Sequence, residues 1–400
     1  MKKWQELSAG SAIIFYLLIA LEVMVMITPF SAYFYSVYAP VLNRLEANPW
    51  SSWLTAFFLP HISYSGDLLL AVLAFLGPVL FTVGLLIFFV CAFQIYGAKL
   101  FKRGVVSGGL YARIRHPQYL GLAVAGAGLL LYWQRFFILI SYLTLLFVYY
   151  LLARNEEWRM IRKYGDSYRG YLQNVPMFIP GNPGGKLFAW VTGGTTRKGL
   201  AMALLYIVVL GASLGLAFGL RQYSLSQLPV VFSNELVLVS MSPSPDQDLR
   251  RIVNIARESE QVTLLLGKLN PQPGGTLVAY LLPQEYMMAH LIADLGEHEA
   301  HHGKKDESGL WPSIRHLAQM YTLKPMRQLM NGSSSPAKRI IFTKASTTTG
   351  GNVSPRQALG VKAMRYPLFF ADLDANQGQV TLTMETPRRH AWGQIPVPAF

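Results

Sequence analysis

Two short charged segments contain the side chains best suited to chemistry. The first, RIRHPQYLG, includes Arg115, His116 and Tyr119, and the second, RNEE, includes Glu156 and Glu157. A guanidinium or an imidazole can hold a carboxylate, whereas carboxylates and aromatic faces can hold organic cations. The two segments therefore offer groups for ligands of both signs of charge.

The stretch between these segments predicts a tight helical hairpin. From Gln118 to Ala153 the only charge is Arg135, in the middle, and each half has 17 or 18 residues. A hairpin returns the chain to its starting point, so we expect Arg115-His116 and the RNEE segment to be neighbours in space. The alternative is that these arginines only mark the membrane edge and that the glutamates pair with them, which is common at helix ends.

The composition indicates a membrane protein. Of the 400 residues, 52% are hydrophobic and only 14% are charged, unlike an ordinary soluble chain. A membrane-spanning helix needs about 20 apolar residues, and such runs occur only in the first 220 positions. We predict a mainly α, polytopic membrane helical bundle of about five transmembrane helices, including the hairpin, followed by a C-terminal soluble α/β domain. Besides the hairpin, the predicted spans are 10–34, which is expected to be uncleaved and contains Glu22, then 68–98 and 199–220.

The distribution of Lys and Arg predicts the orientation. Eight of them lie between Arg154 and Lys198, whereas only Arg44 and Arg135 fall on the opposite side of the predicted bundle. Cytoplasmic loops carry an excess of Lys and Arg, so the N-terminus and both charged segments are predicted to be cytoplasmic. After five crossings, residues 221–400 are predicted to be periplasmic or extracellular. The expected location is a bacterial inner membrane.

The C-terminal part alternates strand-like and helical patterns, as in a small α/β domain. Strands are predicted at 230–240, 262–266, 276–282, 339–343, 368–373 and 380–384, and helices near 246–259 and 284–302.

A group of polar side chains in this part has spacing that could suit a metal ion. His290, Asp294, His298 and His301 or His302 would share one helical face and could bind zinc, copper or nickel. A solvated polar face is the favoured interpretation, because charged residues continue beyond the group without a partner motif. No metal site is therefore predicted, and the lone Cys91 cannot build one.

The charged segments resemble a family of membrane enzymes when they are taken in order. SGGLYARIRHPQYLG, a hairpin, an acidic pair and YGDSYRGYLQNVPMFIP resemble the isoprenylcysteine carboxyl methyltransferases and their relatives, the phospholipid N-methyltransferases and small-thiol methyltransferases. The resemblance covers about 104–180 and implies methyl transfer from S-adenosylmethionine at a pocket open to the cytosol. The predicted regions are N-terminal spans 1–103, a methyltransferase core 104–180, a linker and last span 181–220, and the α/β domain 221–400.

The resemblance also implies roles for individual residues. It implies that Glu156 or Glu157 lies near the cofactor's ammonium group. It also implies that Arg115 and Arg154 contact the carboxylate of an acceptor. The acceptor contacts apply only if the acceptor has a carboxylate, since other branches methylate amines or thiols. The remaining members of the implied cofactor site are His116, Pro117, Tyr119, Gly121 and Tyr168.

Some roles stay open at this stage. His116 is the obvious titrating group if a thiol or amine acceptor needs a base. Tyr168 and Tyr171 could line the pocket or simply pack at the membrane surface. Where many relatives have a basic residue after the late Val-Pro, this chain has Met177-Phe178, and it also continues into a further span and a domain.

Two other functions are weighed against a methyltransferase. A membrane reductase of related architecture would need groups that bind the phosphates of a nicotinamide cofactor, and the acidic pair argues against it. A sensor or scaffold with a non-catalytic core would not be expected to keep both motifs intact. Nucleic-acid binding is not expected despite a net charge of +14, because anionic lipid and topology explain the basic residues. The expected partners are the lipid bilayer, a lipophilic or small-molecule acceptor, and an unknown protein partner for the C-terminal domain.

Overall fold

The structure is a computed structural model of the 400-residue chain. It describes residues 44–59, 67–101, 104–132, 134–192, 198–232, 236–241, 244–270, 276–283 and 336–385. The predicted first span with Glu22, the predicted helix 284–302 and the His290 to His302 group lie outside the described residues.

The described N-terminal part contains six α-helices of nine residues or more. They are α1 (Leu68–Leu100), α2 (Pro117–Tyr132), α3 (Phe136–Tyr164), α4 (Asp166–Asn174), α5 (Pro183–Thr192) and α6 (Lys198–Ser226). Within the described ranges, α1, α3 and α6 are long and apolar enough to cross a membrane, and α2 is a shorter apolar helix. The predicted mainly helical class is confirmed, with three candidate membrane spans in the described ranges.

Helices α2 and α3 form the predicted hairpin. Proline has no N–H and a fixed φ, so Pro117 suits the first position of α2. At the other end of the pair, only three residues separate the end of α2 at Tyr132 from the start of α3 at Phe136. With 29 residues against 16, α3 is about 43 Å long and α2 about 24 Å. The acidic pair, about 30 Å along α3 from Phe136, therefore lies at the edge of a hydrocarbon core of about 30 Å, and the last two turns extend beyond it.

Small residues allow α1 and α2 to pack closely. A Cβ atom built on Gly84 of α1 would lie 2.2 Å from the backbone nitrogen of Ala125 in α2. A Cβ on Gly128 of α2 would lie 2.4 Å from the backbone nitrogen of Phe81. Between helices in a membrane, packing supplies most of the attraction, and small residues allow the backbones to approach. These glycines therefore fix α2, and with it the start of the RHP segment, against α1.

The C-terminal part contains a six-stranded sheet. Its strands are β1 (Val230–Phe232), β2 (Leu236–Ser240), β3 (Leu277–Pro283), β4 (Ala337–Ser346), β5 (Met364–Asp374) and β6 (Gln379–Glu385), in that spatial order. All neighbours are antiparallel except β2 and β3, which are parallel. A parallel pair needs a crossover, and helices α7 (Asp246–Glu258) and α8 (Glu260–Leu269) provide it. The predicted β-sheet region is confirmed.

One predicted strand is wrong, because residues 262–266 belong to α8. A short apolar run does not distinguish a strand from a buried helix. The helical spacing continues to Leu269, and Val262, Leu265, Leu266 and Leu269 all pack against the same face of the sheet. Burial of this stripe against a sheet that is already formed stabilises the helix.

The last predicted span also continues further than expected. We predicted that it ends at Leu220, but α6 runs to Ser226 and includes Arg221. This arginine is only 5% exposed and donates hydrogen bonds to the carbonyl oxygens of Phe57 and, at 2.7 Å, Leu359. Those bonds compensate for burial of the charge. The segment 44–59, the hairpin turn at 134–136 and the sheet belong to one compact unit, which Arg221 helps to hold together.

The close approach of α1 and α2 generates a stability prediction. We expect Gly84→Ala to destabilise the protein by about 1–3 kcal/mol, because the added methyl group has no space against the α2 backbone. Gly97→Ala in the same helix is the matched control, since nothing lies within 4 Å of its added Cβ. The measurement is thermal unfolding in detergent. Equal melting midpoints for the two variants would contradict the packing described.

Candidate active site

Backbone pairing joins the RHP segment to the chain that follows α4. The amide of Arg115 donates to the carbonyl of Pro176 at 2.9 Å, and the amide of His116 donates to that of Met177 at 3.0 Å. These bonds satisfy two backbone donors just before α2 begins. They also bring Met177-Phe178, where the sequence departs from many relatives, directly beside His116.

A buried ion pair connects the two charged segments. The Nε of Arg115 donates to Oε1 of Glu157 at 2.7 Å, and the side chains are 12% and 5% exposed. The Nη1 of Arg115 donates to the carbonyls of Leu172, at 2.8 Å, and Val175, at 2.5 Å. The expectation that the segments are neighbours in space is thus confirmed. One guanidinium links the start of α2, the end of α3 and the end of α4.

His116 lies between the two glutamates. Its Nε2 is 3.3 Å from Oε1 of Glu157, and its Nδ1 is 3.6 Å from Oε2 of Glu156. The imidazole is 3% exposed and stacks on Tyr119 with ring centroids 5.7 Å apart. Nε2 is within hydrogen-bonding distance of Glu157, whereas 3.6 Å is too long for a hydrogen bond and Nδ1 is buried without a hydrogen-bond partner among the described residues.

The two glutamates have different surroundings. Glu157 is almost completely buried and engaged by Arg115 and His116, whereas the side chain of Glu156 is 30% exposed. Oε1 of Glu156 accepts a hydrogen bond of 2.6 Å from the hydroxyl of Tyr119. Tyr119 in turn stacks on Tyr149 at 5.3 Å. Glu156 therefore presents an oriented carboxylate that is still accessible to a ligand.

Buried tyrosines surround this centre. Tyr168 is 5% exposed, and burial, with Glu157 and Tyr171 nearby, raises its pKa to about 12. Burial likewise raises the pKa of Tyr171 to about 12. Such phenols stay neutral at physiological pH, so they can donate hydrogen bonds but do not act as bases.

The sequence did not single out Tyr111, although it lies in the same SGGLYARIRHP stretch. The hydroxyl of Tyr111 donates to Gln118 at 3.0 Å, and its carbonyl accepts a hydrogen bond of 2.6 Å from the hydroxyl of Tyr171. Burial is the main cause that raises the pKa of Tyr111. The only available signal was an aromatic residue close to RHP. Bonds between a side chain and a distant carbonyl leave no local pattern.

The remaining predicted residues lie at the edge of this centre or outside it. Arg154 is close to it but 62% exposed, with Nη1 3.9 Å from Oε2 of Glu157. Pro117 is the first residue of α2. Gly121 faces α1, since a Cβ there would be 2.9 Å from the carbonyl oxygen of Gly84. Gly121 therefore has a packing role in the structure.

A cavity of about 520 Å³ adjoins the charged centre. Arg115 and Arg154 contribute to its wall, whereas most other side chains in the wall are apolar. Its volume is in the range usual for small-molecule sites. It is lined by Arg115, Leu143, Leu146, Phe147, Tyr150, Arg154, Met177, Phe178, Ile179, Asn182, Pro183, Gly184, Gly185, Met202, Leu205, Tyr206 and Val209.

Residues 64–167 match the family model of the phospholipid methyltransferases. This match agrees with the resemblance found in the motifs, and it indicates a membrane methyltransferase. It starts before α1 and ends ahead of Tyr168, so it includes α1, α2 and α3. No curated protein matches the chain significantly, and no solved structure does.

The different burial of the two glutamates predicts different effects on stability. We expect Glu157→Gln to lower the free energy of unfolding by about 3–5 kcal/mol, because it leaves Arg115 buried without its counter-charge. Glu156→Gln should cost less than about 1 kcal/mol, since Glu156 is partly solvated and keeps an oxygen for Tyr119. Thermal unfolding without ligands compares the two variants. A larger effect for Glu156→Gln would refute this assignment of the ion pair.

Proposed function

We propose that the protein is an S-adenosylmethionine-dependent methyltransferase that acts at the cytoplasmic face of the membrane on a lipophilic acceptor with an anionic group. The observation that supports this most directly is the position of an accessible, oriented carboxylate, Glu156, close to a cavity that contains two arginines. A cation site and an anion site thus adjoin each other at one end of an apolar cavity.

The residues present fit the proposed cofactor. S-adenosylmethionine supplies a methyl group on a cationic sulfonium. Glu156, held by Tyr119, can accept hydrogen bonds from the ammonium group of the methionine part. Tyr119, stacked between His116 and Tyr149, keeps its hydroxyl on Glu156, and Tyr168 can donate a hydrogen bond to a neighbouring acceptor. Glu157, engaged by Arg115, contributes by fixing the other groups.

The acceptor is expected to react without a strong base. Nε2 of His116 contacts Glu157, and Tyr168 and Tyr171 stay protonated, so we assign these groups positioning roles. A carboxylate acceptor is already ionised, which favours it over the thiol and amine alternatives. Its oxygen forms the new bond to the methyl carbon while the carbon–sulfur bond breaks, and the sulfur keeps the electron pair. Alignment and exclusion of water supply the acceleration.

The arginines suit such an acceptor. Of the Arg115 guanidinium, Nε and Nη1 make the bonds described above, and for Nη2 the described residues provide no hydrogen-bond partner. Among the described residues, the ion-pair partner of Arg154 is Glu157, at the long distance of 3.9 Å. Both line the cavity, so each can donate to an anionic group placed there.

The proposed orientation follows from the distribution of charge. Arg113, Arg154 and the basic residues that follow α3 should be cytoplasmic, together with the candidate active site. The sheet should then be extracytoplasmic, as should the segment 44–59 and the hairpin turn, because they belong to the same compact unit.

Binding of the demethylated cofactor tests the proposed function. We expect the purified protein to bind S-adenosylhomocysteine. Glu156→Gln should weaken this binding at least about tenfold, because the loss of one charge-assisted hydrogen bond costs about 1.4 kcal/mol or more. Titration calorimetry in detergent gives the affinities. Arg169→Ala is the control, since Arg169 is an exposed residue of α4 that pairs only with exposed Asp166 among the described residues. Absence of binding by the wild type, or equal binding by Glu156→Gln, would refute the proposal.

Cysteine labelling tests the orientation. The native Cys91 is completely buried, so it should give little background with a membrane-impermeant maleimide. We expect Arg250→Cys, on the exposed surface of α7, to be labelled from outside intact spheroplasts. Arg169→Cys should be labelled only after lysis. The reverse pattern would place the active site outside and the sheet in the cytoplasm.

A further inference from the structure

We infer that α6, which lies beyond the matched segment 64–167, forms one wall of a groove for the hydrocarbon chain of the acceptor and determines the length of chain that is accepted. This inference rests on the proposed function for the identity of the acceptor. The groove itself is defined by α3 and α6.

Two helical stripes face the groove. On α3 the lining residues are Leu143, Leu146, Phe147 and Tyr150, and on α6 they are Met202, Leu205, Tyr206 and Val209. Both sets have the spacing i, i+3, i+4, i+7, which places four side chains on one face of a helix. The cavity is therefore bounded by two complementary apolar faces.

The anionic end of an acceptor has one suitable position in this groove. Arg154 follows the α3 stripe towards the cytoplasmic end of that helix, and Arg115 lines the same cavity. From Leu143 to Arg154 is a distance of about 16 Å along the helix axis. This is close to half of a hydrocarbon core of about 30 Å. A lipid in the cytoplasmic leaflet could thus place its charged group at the arginines and its chain between the helices.

A polar contact holds α6 to α3 near the deep end of the groove. The hydroxyls of Thr144 and Tyr206 are 2.9 Å apart. Thr144 donates its own proton to the carbonyl of Ile140 at 2.8 Å, so Tyr206 is the donor between the two hydroxyls. The ring of Tyr206 also packs on Phe147 with centroids 5.5 Å apart. Tyr206 therefore positions α6 and fixes the width of the groove.

The surroundings of α6 favour a lipid as the occupant. Few residues in its apolar stretch are buried within the protein, and the exposed ones include Leu204, Ile207 and Val208. The outer face of α6 is therefore suited to contact with lipid. A hydrocarbon chain needs no polar partners at the deep end of the groove, where Val209 and Leu143 supply none.

The position of Val209 allows the length of the groove to be changed. Because α6 begins at Lys198 on the proposed cytoplasmic side, Val209 is the deepest of its four lining residues. Val209→Trp should fill the deep end and shorten the groove. Val208→Trp is the matched control, because Val208 is adjacent, lies outside the cavity wall and is more exposed than Val209, at 64% against 44%.

The experiment measures binding of straight-chain fatty acids from octanoate to stearate to the purified full-length protein, by displacement of a fluorescent fatty acid. We expect the wild type to prefer chains up to a limiting length. Val209→Trp should weaken binding of the longest accepted chain about tenfold, the loss of about two buried methylene groups, and leave octanoate almost unchanged. Val208→Trp should have the profile of the wild type. Tyr206→Phe, which keeps the ring but removes the donor, should flatten the dependence on chain length.

The outcomes distinguish this inference from the proposed function. If Val209→Trp and Val208→Trp have the same profile, or if the wild type shows no dependence on chain length, the groove is not the binding site for the chain. That result would overturn the inference even if S-adenosylhomocysteine binds. If the dependence on chain length shifts as expected but the wild type does not bind S-adenosylhomocysteine, the methyltransferase proposal fails. The groove is then still supported as the binding site for the hydrocarbon chain.

Discussion

The buried contact between Arg115 and Glu157 is the interaction on which the candidate active site depends. A guanidinium and a carboxylate that are both shielded from water are stable only when each compensates for the other. Here the same guanidinium also binds the carbonyls at the end of α4. The start of α2, the end of α3 and the chain after α4 are therefore held in one arrangement, and His116 is oriented as a result.

Much of the membrane part could be predicted because the bilayer imposes a simple rule. A long apolar stretch with one charge in the middle must fold back on itself, so the hairpin and the meeting of its flanking segments followed from Arg135 and the two motifs. The alternative, in which the glutamates merely pair with arginines, describes Glu157 well. It does not describe Glu156, which has Tyr119 as its hydrogen-bond donor.

Features that depend on the path of the chain in space could not be predicted. Val262 to Leu266 looked like a strand, because short apolar runs are ambiguous until their packing partners are known. The end of α6 was placed too early, because the carbonyls that satisfy Arg221 are far away in sequence. Tyr111 and the cavity were missed for the same reason. Their contacts join residues that are distant along the chain.

The adjacency of Glu156 and Glu157 has a consequence for how such a site can diversify. Successive residues of an α-helix point about 100° apart, so neighbouring carboxylates enter separate environments at no cost to the fold. One position is constrained by the architecture, and the next is open to change. A substitution at the second position can therefore change how a ligand is held while the protein still folds, so stability and ligand binding depend on different residues of one short segment.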